Sequence, residues 1–203
     1  MKLLLQLLAI VTVFAANAQG TFEGITGYSQ SIVGTEQGTS GWTFQTANGI
    51  VLTALGAFDY LVGAQGPISV GLWNSSGTLL ASHLVASSSS LTNQTRYESI
   101  TPILLSPGQV YTVGAYSSSG SLLLQAFFPG SGGSVSTSSD ILLRGYANNP
   151  SASFGFPTEI GGASGGVLFG PNFLYHEIPE PDSIALVCMG GLACLGLRGR
   201  RQP

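Results

Sequence analysis

Very few side chains in this 203-residue chain could do acid–base, nucleophilic or metal chemistry. His83 and His176 are its two histidines, the residue type that titrates nearest neutrality. No Cys, Asp or second His stands near either at metal-ligand spacing, so no metal site is predicted. Gly162-Ala163-Ser164-Gly165-Gly166 fits the G-x-S-x-G pattern of a nucleophile elbow. That elbow needs a strand before the Ser and a helix after it, and no helical spacing follows Ser164. A chain with 29 Gly produces such a match by composition, so no catalytic residue is expected and a hydrolase is the weakest reading. Glu36, Asp59 and Asp140 are isolated acids without D-x-D spacing, so a structural calcium, the one cofactor to consider, has no defined ligand set. Sugar stacking is the remaining chemistry. Trp42, Tyr60, Trp73, Tyr116 and Tyr146 lie near turns, and Trp42 and Trp73 are the leading candidates. Trp73 has the opposite parity from Leu72 and directly precedes a turn, which would expose it.

Strands must position these rings. Turn residues recur every 8 to 15 positions between runs rich in β-branched and aromatic residues. The predicted strands are 42–46, 50–59, 68–73, 79–85, 99–105, 110–116, 122–127, 141–146 and 167–174. Ile68, Val70 and Leu72 alternate with Ser69 and Gly71, the period of a half-buried strand. Leu52, Ala54, Gly56 and Phe58 are expected along one side of a longer strand. Asn74-Ser75-Ser76-Gly77 and Pro107-Gly108 are the strongest turn signals. The Ser/Gly stretches 87–90, 130–139 and 161–166 are expected as mobile surface loops. No middle segment has helical apolar spacing over a helical length. The fold class is therefore all-β, an antiparallel, jelly-roll-like β-sandwich.

Charge narrows the function classes further. Between Gln19 and Ile178 the cations are Arg96 and Arg144, set against seven acids. Without a basic patch, nucleic-acid binding is excluded. Cys188 and Cys194 are the two cysteines, both in the C-terminal apolar run, so the middle has no disulfide framework.

Both ends look like processing signals. Lys2, an apolar stretch to Phe14 and the small-x-small site Ala16-Asn17-Ala18 read as a secretory signal peptide over 1–18. The sandwich would occupy 19–176. At the other end, Pro179-Glu180-Pro181 precedes a 14-residue apolar run, Ile184 to Leu197, and then Arg198, Arg200 and Arg201. As a helix that run is about 21 Å long, short for a bilayer core of about 30 Å. The arginines would act as topological stops on the cytoplasmic side. The two prolines fix φ and hold Glu180 in an extended stretch.

With Gly190-Gly191 inside the run, residues 177–203 resemble a PEP-CTERM sorting signal with a short transmembrane helix. Similar segments are also called ice-binding protein C-terminal domains. No T-x-T ladder supports ice binding here. The resemblance implies a Gram-negative bacterium and a passage through the inner membrane. It also implies recognition of Pro179, Glu180 and Pro181 by an exosortase, a membrane-embedded transpeptidase, and a link to the exopolysaccharide matrix or cell surface. In the middle, Gly71-Leu72-Trp73-Asn74-Ser75-Ser76-Gly77 and Leu105-Ser106-Pro107-Gly108-Gln109-Val110-Tyr111 resemble DUF4082-like exported β-sandwich domains. The expected protein is a non-enzymatic structural or adhesive component of the cell exterior, flanked by a signal helix and an apolar C-terminal helix. A carbohydrate-binding module is the alternative, and exposed aromatics would favour it.

Overall fold

With almost no charge and no cysteine in its middle, the chain relies on backbone pairing, apolar packing and neutral side-chain hydrogen bonds. A computed structural model describes residues 20–29, 32–36, 38–59, 62, 66–117, 122–127, 134–162 and 167–178. Gly20–Glu177 forms one compact unit, and every described strand belongs to it. Met1–Gln19 and Pro179–Pro203 lie outside the described residues.

The first sheet has five strands in the order β1 (Phe22–Glu23), β16 (Pro171–Glu177), β5 (Ile50–Phe58), β9 (Thr95–Leu105) and β8 (Ser90–Thr92). The second has six, in the order β14 (Glu159–Gly162), β13 (Ile141–Asn149), β4 (Thr39–Thr46), β10 (Val110–Ser117), β6 (Ile68–Asn74) and β7 (Leu79–Val85). β15 (Val167–Phe169), β11 (Leu122–Phe127) and β3 (Ile32–Glu36) make a third sheet, and β12 (Ser134–Thr137) with β2 (Ile25–Ser29) a fourth. Pairing is antiparallel throughout, as in β13 on β4 and β5 on β9. Among the described residues no helix is long and apolar enough to cross a membrane. The segments expected to form the signal helix and the apolar C-terminal helix lie outside the described residues.

The core lies between the two large sheets. Trp42, Phe44, Leu72 and Val113 from one meet Ile50, Leu52, Leu55, Phe173 and Tyr175 from the other. Trp42 stacks on Phe173 with centroids 5.6 Å apart, and Phe44 lies 4.7 Å from the same ring. The Trp42 indole Nε1–H also donates to the Pro171 carbonyl at 2.8 Å. One aromatic cluster thus satisfies its buried donor across the sandwich.

Several expectations change. The predicted strand 50–59 does not keep one parity: its register shifts between Leu52 and Ala54. Ile50, Leu52, Leu55 and Ala57 join the core, because a bulge swaps which side chains face inward. The run 167–174 is broken at Gly170 into β15 and β16, which belong to different sheets. Of the predicted loop 130–139, Ser134–Thr137 is strand β12, paired with β2. Ser90 opens β8, and Gly161 and Gly162 end β14. Both strong turn signals hold, with left-handed Gly77 (φ 79°) and Gly108 (φ 75°). An unexpected tight turn joins β8 to β9 through Asn93 (φ 45°) and Gln94 (φ 67°).

Asn172 on β16 fastens the N-terminal strands to this frame. Its Oδ1 accepts from the Ile25 N–H at 2.9 Å, and its Nδ2 donates to the Ile25 carbonyl and to the Tyr97 hydroxyl, each at 2.9 Å. The side chain is buried, so removing it orphans desolvated partners. Asn172→Ala is expected to lower the urea-unfolding free energy by about 3 kcal/mol; a change within error would contradict this role.

Candidate functional site

The outer face of the six-stranded sheet carries the residue with the strongest claim on a ligand, Trp73. Its parity is as expected: Leu72 pairs with Val113 on the core side, and Trp73 pairs with Thr112 on the other. Its exposure is not, for Trp73 is only 3% exposed. The segment after β13 crosses the sheet and seals it. Phe154 and Phe156 lie 5.3 and 6.3 Å from the indole. Polar bonds pin that strap: the Gly155 N–H donates to Thr39 Oγ1 at 3.1 Å, Tyr116 Oη to the Ala152 carbonyl at 2.9 Å, and Asn149 Nδ2 to the Phe156 carbonyl at 2.9 Å.

A row of small residues makes the room. Gly71, Gly114, Gly41 and Ala147 stand opposite one another across β6, β10, β4 and β13. A Cβ on Gly71 would come within 2.5 Å of the Trp73 ring and 2.7 Å of Phe154. The indole therefore lies in a trough that only glycine leaves open. Trp42, the other stacking candidate, is fully buried in the core. Neither tryptophan offers a ring face to a sugar, which corrects the expectation. Of the other aromatics considered, Tyr116 and Tyr146 are half-buried, and Tyr60 lies outside the described residues.

The remaining candidates do not converge. His83 is exposed, with Nδ1 beside the carbonyl of Leu84, and His176 contacts the Gly20 carbonyl. Asp59 is paired with Arg96. Ser164 lies outside the described residues, and no helix is described after it. Among the described residues no three His, Cys, Asp or Glu side chains gather as a metal would require.

One grouping escapes the sequence. Asp140 is 5% exposed; its Oδ2 accepts from the Tyr175 hydroxyl at 3.2 Å and its Oδ1 from Asn48 Nδ2 at 2.9 Å. Glu177 follows two residues after Tyr175 on β16, and its carboxyl shares a hydrogen bond with Asp140. That bond, the Asp140 charge and slight burial all hold the Glu177 pKa above its ordinary 4.5. Burial pushes Tyr175 up to about 12, helped by the charge and hydrogen bond of Asp140 and opposed by the Ser138 hydroxyl. Residues 37 apart in sequence meet here only because β13 and β16 end at the same rim, so no spacing rule could find them.

Residues 25–160, about two thirds of the chain, match the family described as Domain of unknown function (DUF4082). The chain belongs to the DUF4082 family. Residues 177–201 match the PEP-CTERM protein-sorting motif. That motif marks an exported protein made as a membrane-anchored precursor and processed by exosortase. No curated protein shows significant similarity to the chain.

The DUF4082 match stops short of β16, yet β16 lies between β1 and β5 and supplies Phe173 and Tyr175 to the core. The folded unit therefore runs on to Glu177, where the sorting motif begins. Pro179, Glu180, Pro181, the arginines Arg198, Arg200 and Arg201, and the cleavage-site residues Ala16 and Ala18 lie outside the described residues.

Two outcomes are expected from these contacts. Trp73→Ala should cost about 3–5 kcal/mol of stability, as a buried aromatic does and an exposed stacking residue does not; thermal and urea unfolding would tell them apart. For Glu177 the folded state binds the proton more tightly than the unfolded state does. Its contribution therefore favours folding at low pH, and stability falls as pH rises from about 4.5 through the raised folded value. Glu177→Gln should remove that fall, so the variant's melting temperature should gain on the native protein's as pH rises above about 4.5. Parallel profiles would refute the carboxyl pair.

Proposed function

We propose that this protein is a non-enzymatic structural or adhesive component of the bacterial cell surface, delivered by the PEP-CTERM route to the exopolysaccharide matrix. The single observation that carries this reading is the sealed outer face of the six-stranded sheet. Trp73 there is covered by Phe154 and Phe156, and Trp42 is spent on the core, so both tryptophans serve packing. An exported domain that invests its aromatics in its own rigidity is suited to being a building unit. It carries few charges: Ser, Thr, Asn, Gln and backbone amides supply hydrogen-bonding groups without strong fields, beside exposed leucines such as Leu84 and Leu142. Such a surface can lie against neutral polysaccharide through many weak, exchangeable bonds. The reading assigns no catalytic residue and no cofactor.

In this account Pro179, Glu180 and Pro181 are read by exosortase, the apolar run holds the precursor in the inner membrane, and Arg198, Arg200 and Arg201 keep its end on the cytoplasmic side. Ala16 and Ala18 mark removal of the signal peptide. Replacing Pro179, Glu180 and Pro181 together with Ala should leave the precursor unprocessed in the membrane fraction, followed by mass. Unchanged processing would refute the sorting role. A glycan array probed with the 19–178 domain separates the structural role from a carbohydrate-binding module. Weak or undetectable binding to every glycan is expected, and tight selective binding to one would replace this reading.

A further inference from the structure

We infer that the end of the sandwich bearing Glu177 is itself part of the surface that the sorting enzyme contacts, an inference that rests on the exosortase reading above. β16 stays paired up to Glu177, which stands opposite Ile50. The sorting motif begins at that same residue. Only Ile178 separates the last paired residue from Pro179. Two Cα–Cα steps span at most about 7 Å, however the chain runs. A two-sheet sandwich is wider than this, since its sheets alone stand about 10 Å apart. An enzyme that grips Pro179, Glu180 and Pro181 in a cleft therefore brings the walls of that cleft against the end of the sandwich. The tether is too short to hold two folded bodies apart.

The same end carries a surface fit for such a contact. Ile50 pairs with Glu177 on one side and with Leu105 on the other, so β9 lies about 10 Å from β16, two strand spacings away. Leu104, beside Leu105, is 63% exposed. It borders an open groove of about 290 Å³ lined by Leu80, Ile103, Val110 and Tyr111 and by the polar Asn74, Ser75 and Gln109, with no charged side chain. A groove of mixed apolar and neutral polar lining has no charge to desolvate and accepts an apolar side chain from a partner protein. The partner is the exported face of the membrane-embedded transpeptidase, because the body that holds the motif must sit at Pro179, whereas the apolar run that enters the bilayer begins only at Ile184.

A charge on Leu104 tests this, with a matched control at the far end of the sandwich. Leu91 is exposed to a similar degree, but it pairs with Arg96, which stands opposite Ala57, six residues along β5 from the Val51 that faces Leu104 and about 20 Å away. In the native host, pulse–chase of the full-length precursor should show Leu104→Glu converted about tenfold more slowly, with its melting temperature unchanged, because the interface must desolvate a charge. Leu91→Glu should be converted at the native rate. A flexible Gly/Ser insertion of roughly ten residues between Ile178 and Pro179 should abolish the difference between Leu104→Glu and its parent, since the bodies can then separate. Conversion of Leu104→Glu at the native rate, while the Pro179/Glu180/Pro181 triple variant is blocked, overturns this inference alone. Equal slowing by Leu91→Glu, or slowing that survives the insertion, also overturns it. So does a loss of binding of Leu104→Glu precursor to enzyme-free vesicles of phosphatidylethanolamine and phosphatidylglycerol, which would make lipid the partner. A triple variant converted at the native rate removes the sorting reading and this inference with it.

Discussion

Trp42 reaches from β4 across the sandwich, stacks on Phe173 of β16 and donates its indole N–H to the Pro171 carbonyl. That contact joins the six-stranded sheet to the five-stranded one at the centre of the core, where Phe44 and Tyr175 complete the cluster. The chain has few alternatives. The middle has no disulfide, and among the described residues one Arg–carboxylate ion pair is seen, Arg96 with Asp59. Each buried aromatic removes about 150–250 Å² from water, and at about 25 cal/mol per Å² that is an upper bound of roughly 4–6 kcal/mol per ring. Stability on this scale makes charge unnecessary, and an exported domain without it can be nearly neutral throughout.

Covering the second face of the six-stranded sheet has a different consequence. A sheet with one face on the core ordinarily presents alternating polar residues to water. Here the row Gly71, Gly114, Gly41 admits an indole, and the strap carrying Phe154 and Phe156 closes over it. At Gly41 the restriction comes from backbone, since a Cβ there would lie 1.9 Å from the Val113 carbonyl oxygen. The sheet thus gains a second small core and gives up the open aromatic platform that sugar recognition would use.

Much of this was legible in the sequence. Period-two alternation located β6, and turn chemistry at Asn74–Gly77 and Pro107-Gly108 placed two hairpins, because both are local properties of the chain. Three features were not legible, each for a physical reason. The bulge in β5 depends on its partners on both sides, so parity from Leu52 onward could not be read from Leu52, Ala54, Gly56 and Phe58 alone. The exposure of Trp73 depends on Phe154 and Phe156, some eighty residues downstream, in a segment whose own pattern is neither strand nor helix. The Asp140–Glu177–Tyr175 grouping exists only where two strands end at one rim. The sorting motif stood out because it is linear, read by a partner as a peptide and independent of the fold that precedes it.

That fold nevertheless runs into the motif with one residue to spare, so folding and sorting share a boundary at Glu177. On the proposed reading, exosortase acts on a precursor that carries this sandwich ahead of its tail, and the finished protein is that sandwich without its anchor. The most direct measurement is the intact mass and C-terminal residue of the protein recovered from the cell exterior. The account predicts an N-terminus at Gln19 and a chain that ends before Ile184, with β16 complete. Recovery of the chain from the exterior with Ile184 to Pro203 still attached would contradict it.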